Sequence, residues 1–188
     1  AQRGFYFQHL GYYFGFSDYF NLALTSDIYT RGSYTLDAAT VYKKRYRYNG
    51  NVHLSYAYTI NGESELASAP AIEDYHFNWT HSQDPKANPF HTFNAQVSAG
   101  SSKYYRNTIS SVPSFLSNTF QSAITYNKIF PNQPFSLGIS LNHSQNTITH
   151  IMRITAPEVS FNVMRIYPFK PKHSVGSPKW YEKIGTTY

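Results

Sequence analysis

The chain has 188 residues, no cysteine and a formal net charge of +6 at neutral pH. Charged residues make up only 14% of it and aromatics 18%, with 18 Tyr and 14 Phe, whereas a soluble domain carries about a quarter charged residues. Disulfides and thiolate metal centres are therefore excluded, no apolar run reaches the roughly 18 residues of a transmembrane helix, the length suits one ordinary domain or part of a large one, and the composition suits an outer-membrane barrel or a secreted β-sandwich.

The start, Ala1-Gln2-Arg3-Gly4-Phe5, has no leader pattern and reads as interior sequence of a mature or truncated chain. Gly4 to Phe16 predicts a first aromatic strand in which Gly11 and Gly15 mark a bend or bulge. The stretch Asp18 to Thr59 then holds three strand-like runs. In the first, Phe20, Leu22, Leu24 and Ile28 share one parity, with Asn21, Ala23, Thr25 and Asp27 on the other. In the second, Tyr34, Leu36, Ala38 and Tyr42 oppose Thr35, Asp37, Ala39 and Lys43. In the third, Val52, Leu54, Tyr56 and Tyr58 oppose Asn51, His53, Ser55 and Ala57. Side chains alternate sides along a strand, so these runs predict a sheet with one apolar and one polar face. Parity predicts three-residue loops at Arg31-Gly32-Ser33 and Asn49-Gly50-Asn51. The same register sets Asp27 opposite Asp37, a like-charge pair that needs a cation, an Arg or a shared proton. It also lines up Lys43, Arg45, Arg47 and His53 on the polar face near the second turn.

Asn61 to Ala71 predicts a loop, followed by a strand with Tyr75, Phe77 and Trp79 against Asp74, His76, Asn78 and Thr80. His81 to Pro89, with Asp84-Pro85 and Asn88-Pro89, predicts a turn. Phe93, Ala95, Val97 and Ala99 form the apolar side of the next strand, and Ser101 to Ser117 a long polar loop. Two more strands, around Phe120–Asn127 and Phe135–Asn142, flank the turn Pro131-Asn132-Gln133-Pro134, and Gln145-Asn146-Thr147 predicts another turn. From Ile148 to Phe169 the apolar parity switches at Ala156-Pro157, which favours one long strand with a bulge over two short strands. Lys170 to Lys179 reads as a basic loop and Trp180 as the start of a last strand. The longest loops fall at every second connection. An outer-membrane barrel has that asymmetry; a sandwich does not need it and would need a second sheet over the apolar face.

The eight His are scattered, no H-E-x-x-H spacing occurs and no serine sits in a nucleophile-elbow context. No metal, cofactor or catalytic site is expected, and with no basic helix or nucleic-acid motif the positive charge does not point to nucleic acid. The candidate functional residues are those of the polar face: Asn21, Thr25, Asp27, Asp37, Lys43, Arg45, Arg47, His53, Asp74, His76 and Asn78. They would line a lumen, with Phe20, Leu22, Leu24, Tyr56, Phe77, Trp79, Leu137 and Ile139 facing lipid.

Several blocks resemble a known family: Gly11-Tyr12-Tyr13-Phe14, Ser17-Asp18-Tyr19-Phe20-Asn21-Leu22-Ala23-Leu24, Asp27-Ile28-Tyr29-Thr30-Arg31-Gly32-Ser33 and Tyr42-Lys43-Lys44-Arg45-Tyr46-Arg47-Tyr48. Further blocks are His81-Ser82-Gln83-Asp84-Pro85-Lys86-Ala87-Asn88-Pro89, Leu141-Asn142-His143-Ser144-Gln145-Asn146-Thr147, Arg165-Ile166-Tyr167-Pro168-Phe169 and Trp180-Tyr181-Glu182-Lys183-Ile184. In order and over nearly the whole chain they resemble the barrel of the LptD (OstA or Imp) family, in its Bacteroidota form. The resemblance implies an all-β antiparallel transmembrane barrel in the outer membrane of a Gram-negative cell, of which residues 1–188 would supply about eight or nine strands. It implies insertion of lipopolysaccharide into the outer leaflet without covalent chemistry. The implied partners are an LptE-like plug lipoprotein, periplasmic Lpt bridge components and the lipids of the outer membrane. The family's periplasmic jelly-roll domain has no counterpart in these residues. Two other readings of the residues stay open: a small self-contained barrel of about eight strands with a structural or lipid-modifying role, and a secreted sandwich that binds glycans.

Overall fold

The computed structural model describes residues 4–60, 71–104, 119–164, 166–169 and 179–185. They form nine strands in one sheet, each paired antiparallel with the next in sequence. The strands are β1 (Tyr6–Ser17), β2 (Phe20–Tyr29), β3 (Tyr34–Lys44), β4 (Tyr48–Ile60), β5 (Ala71–Gln83), β6 (His91–Gly100), β7 (Thr119–Ile129), β8 (Phe135–Asn146) and β9 (Met152–Val163). No ladder joins β1 to β9 among the described residues, so the sheet is open.

The period-2 pattern runs along the strands, interrupted at the bulges of β1 and β9. One row across the sheet runs Asn21, Val41, Asn51, Thr80, Gln96, Ala123, Asn142, Thr155, and a second runs Lys43, Asn49, Ser82, Asn94, Thr125, Ser140, Glu158. The opposite face carries Leu22, Leu24, Leu36, Leu54, Phe77, Val97, Leu137 and Ile139. Burial is inverted relative to a soluble domain. Of the thirteen buried residues described, eight are polar or charged, among them Asp74, Ser55 and Thr59, while Leu24, Leu36, Leu54, Val159 and Phe161 are exposed.

The apolar face is banded. Tyr34, Tyr56 and Tyr58 cluster at one end, with ring centroids 5.3 and 6.2 Å from Tyr34. At the other end His81 stacks against Tyr42 and Tyr48 and meets the Phe93 ring at a tilt. Leucines fill the band between. Tyr48 and Tyr58 lie ten residues apart in β4, about 33 Å along a strand.

All connections alternate between the two ends. Those after β1, β3, β5 and β7 are short and share one end; those after β2, β4, β6 and β8 share the other. The predicted loops over Asn61–Ala71 and Ser101–Ser117 both start and finish at that second end, although residues 61–70 and 105–118 lie outside the described residues, as do residues 170–178 of the predicted basic loop.

Several local expectations are corrected. The first three-residue loop is Thr30-Arg31-Gly32, not Arg31-Gly32-Ser33. Ile28 pairs with Tyr34, and Gly32 takes the left-handed φ of 87° that such a loop requires. The second is Arg45-Tyr46-Arg47, with Tyr46 left-handed, and Asn49-Gly50-Asn51 lies inside β4. Gly50 is needed there because the Tyr42 ring and the Thr80 carbonyl occupy the space a Cβ would fill. The shifted register removes the clash of Asp27 with Asp37: Asp27 faces Thr35, and Asp37 faces Thr25 and Ser55. β5 runs on through His81 to Gln83, and β8 to Asn146. As the parity switch predicts, the segment after Ile148 holds one bulged strand, β9, with the register shift opposite Ser140–Asn142, but it spans Met152–Val163 and stops short of Phe169. Trp180 begins a 3-10 turn ending at Lys183, not a strand, with the Lys179 backbone N–H donating to Glu182.

Candidate functional site

The polar face is ordered by charge along its length. Asp27, Asp37 and Asp74 lie toward the end with the long connections and Lys43 toward the short-turn end, where Arg45 and Arg47 stand in the β3–β4 turn. Asp37 and Lys43 are six residues apart on β3, about 20 Å.

Asn21, Thr25, Asp27, Asp37, Lys43, His53 and Asn78 share the polar face of β2 to β5, as their parity predicts. Asp37 accepts the Ser55 hydroxyl and lies 3.4 Å from His53 Nε2. Asp27 Oδ1 accepts the backbone N–H of His9 at 2.8 Å, at the β1 bulge. Asn21 Oδ1 accepts the backbone N–H of Val41.

Of the other four predicted residues, Asp74 and His76 continue the polar rows opposite Ala57 and Ser55, and Arg45 and Arg47 lie outside the strands. Asp74 and His76 are buried. Asp74 accepts the Ser101 hydroxyl at 2.6 Å, and His76 stacks between Tyr104 and Phe120, its Nε2 3.3 Å from Ser98 Oγ. They fasten the end of β6 and are covered by it. Arg45 and Arg47 form the β3–β4 turn instead of lying along a strand, and His53 sits well inside β4, opposite Ala39 and Asn78, away from that turn.

The polar face also extends further than the predicted set. Across β6 to β9 it holds a cavity of about 290 Å³ lined by Gln96, Gln121, Asn142, Ser144, Arg153 and Thr155. A neighbouring one of about 350 Å³ is lined by Asn49, Thr80, Ser82, Asn94 and Thr125. The alternation that marks β2 to β4 was equally readable at Gln96 and Asn142. Arg153 needed the bulge to be placed.

The arrangement offers hydrogen bonds but no nucleophile. In the group Asp37, His53 and Ser55, the serine hydroxyl donates to the carboxylate, so no imidazole is placed to take its proton. Ser122 Oγ lies 3.3 Å from His143 Nδ1, but it donates to the Ser98 carbonyl and accepts the Ser98 N–H, both at 3.0 Å. It joins β7 to β6 where the main-chain ladder has ended. No group of three or more His, Asp or Glu converges among the described residues.

A family described as LptD protein matches residues 1–188. No curated protein and no solved structure matches the chain.

Proposed function

The chain belongs to the LptD family, whose outer-membrane proteins act in lipopolysaccharide transport and assembly, and from that premise we propose that it forms part of a multi-pass transmembrane barrel wall. The apolar face meets lipid and the polar face lines the lumen. The observation that carries this reading is the inverted burial, with exposed leucines and aromatics on one face and buried polar groups on the other. The roughly 33 Å between Tyr48 and Tyr58, on strands tilted by about 40°, projects to about 25 Å, the height of the apolar band of a membrane barrel.

Strand direction supports a partial wall. With nine alternating strands, β1 and β9 run the same way. Closing these nine alone would require a parallel seam, where bacterial barrels use an even, antiparallel set. Residues 1–188 are thus a segment of the barrel domain, of the Bacteroidota form that the sequence blocks resemble, and the jelly-roll domain lies outside them. The polar groups of the lumen wall (Asn21, Thr25, Asp27, Asp37, His53, Asn78, with Lys43 toward the short turns) hydrate and pass the sugar and phosphate portion of lipopolysaccharide on its way to the outer leaflet. An LptE-like lipoprotein fills the lumen, and periplasmic Lpt bridge components deliver the lipid. No bond is made or broken in the cargo.

The test is photocrosslinking in cells with the full-length protein, using a benzophenone residue at Asn51 or Thr80 on the polar face and at Leu54 on the apolar face. Lipopolysaccharide adducts are expected at the first two during active export. Export without adducts at either polar position would sink the lumen assignment.

A further inference from the structure

A cavity of about 390 Å³ opens at the short-turn rim of the apolar face, lined by Arg47, Tyr48, His81, Gln83, Asn88 and His91. We infer that it binds a phosphodiester anion, the headgroup phosphate of a membrane phospholipid. The inference rests on the reading that this face meets lipid, with the short turns on the periplasmic side.

The cavity is polar although it lies on the otherwise apolar face, within the aromatic band. Arg47 has no ion-pair partner among the described residues, and a guanidinium fork matches phosphate oxygens in a bidentate way. The nearest turn carboxylate, Asp84, is engaged locally: its Oδ1 accepts the backbone N–H of Lys86 at 2.9 Å. Lys128 stands directly opposite His91 across the β6–β7 ladder, and Lys86 lies 5.5 Å from the Tyr46 ring. The rim is therefore cationic around the cavity.

The donors are pre-positioned. Trp79 Nε1 donates to the Tyr42 hydroxyl at 2.9 Å, and that hydroxyl lies 2.9 Å from His81 Nδ1. With the tyrosine proton directed to Nδ1, its shorter contact, the neutral His81 ring carries its own proton on Nε2 as a donor. Gln83 locks the other wall, donating from Nε2 to the His91 carbonyl and accepting the Phe93 N–H, each at 3.0 Å. Tyr and Trp beside basic side chains are what a bilayer interface selects.

The test uses the full-length protein purified in detergent, with bound lipid counted by native mass spectrometry. Phosphatidylglycerol is titrated against diacylglycerol bearing the same acyl chains, with and without inorganic phosphate. Retention of phosphatidylglycerol over diacylglycerol is expected. Arg47→Gln should lower it about fivefold, in line with the usual worth of one basic group at a lipid surface, and His91→Gln should lower it less, by removing an imidazole from the lining. The control Lys103→Gln, at the opposite end of the sheet, should leave it unchanged. Backbone bonds made by Arg47 to Lys44 and Asp84 survive its substitution, so the variants keep the turn. Equal retention of diacylglycerol would overturn the phosphate site, as would an equal loss in the Lys103 variant. Full displacement by inorganic phosphate would assign the cavity to a free anion and remove the lipid. Quenching of a fluorophore on Leu36→Cys by brominated acyl chains reports separately on whether this face meets lipid, whatever the headgroup result.

Discussion

Strands β2 to β5 and the β6–β7 pair solve the same problem in different ways. From β2 to β5 the ladders run without a register shift, and each polar row continues from strand to strand. Between β6 and β7 the ladder stops after Gln96–Ala123. Beyond that point side chains replace the backbone: Ser122 bonds both main-chain groups of Ser98, Gln145 Nε2 donates to the Gly100 carbonyl, and Phe120 packs against His76 at 1% exposure. In a one-layer wall there is no second sheet to bury a core, so continuous pairing is the main source of cohesion, and each break in it becomes a small local core.

This contrast predicts unequal sensitivity. The largest effect is expected at the break: Phe120→Ala should cost about 3–5 kcal/mol, the usual loss for a buried aromatic, in urea unfolding of the full-length protein in lipid vesicles. A cost near that of an exposed leucine would erase the distinction between the two regions. Arginine at Leu22 or Ile139 should cost about 2–4 kcal/mol near the bilayer midplane, and little at the adjacent Asn21 or Ser140; equal costs on both faces would contradict the assignment of the faces. Ser122→Ala should cost about 1–3 kcal/mol by stranding the Ser98 groups, read as faster amide exchange at Ser98. Tyr42→Phe, inside the continuous block, should cost only about 1 kcal/mol, because the β3–β4 ladder remains around it; its signature is altered Trp79 fluorescence with unchanged strand content.

The alternation of side chains made the sheet, its two faces and the bulge near Pro157 legible in the sequence, because period 2 is a property of each strand alone. Hairpin register was less legible. Asn49-Gly50 looks like a turn, yet the turn is four residues earlier, where Tyr46 adopts the left-handed conformation and Gly50 is freed to accommodate the Tyr42 ring. The like-charge pair of Asp27 and Asp37 followed from placing the first loop one residue late. The burial of Asp74 and His76 was not legible either: it depends on Ser101, Tyr104 and Phe120, which no local pattern connects to them. Arg47 was visible as a charge, but its place among Tyr48, His81 and His91 exists only once three strands are aligned.

The strict sequential order of the strands also bears on how such a wall is made. Every rung joins neighbours in the chain, so each new strand has to close only the loop behind it, and closure entropy grows slowly with loop length. The wall can grow one hairpin at a time, each strand presenting a finished edge to the next. The links that wait longest are side-chain ones, such as Tyr42 with His81, 39 residues apart, and Gln145 with Gly100, 45 residues apart. They act as latches that set only after the strands on both sides have arrived.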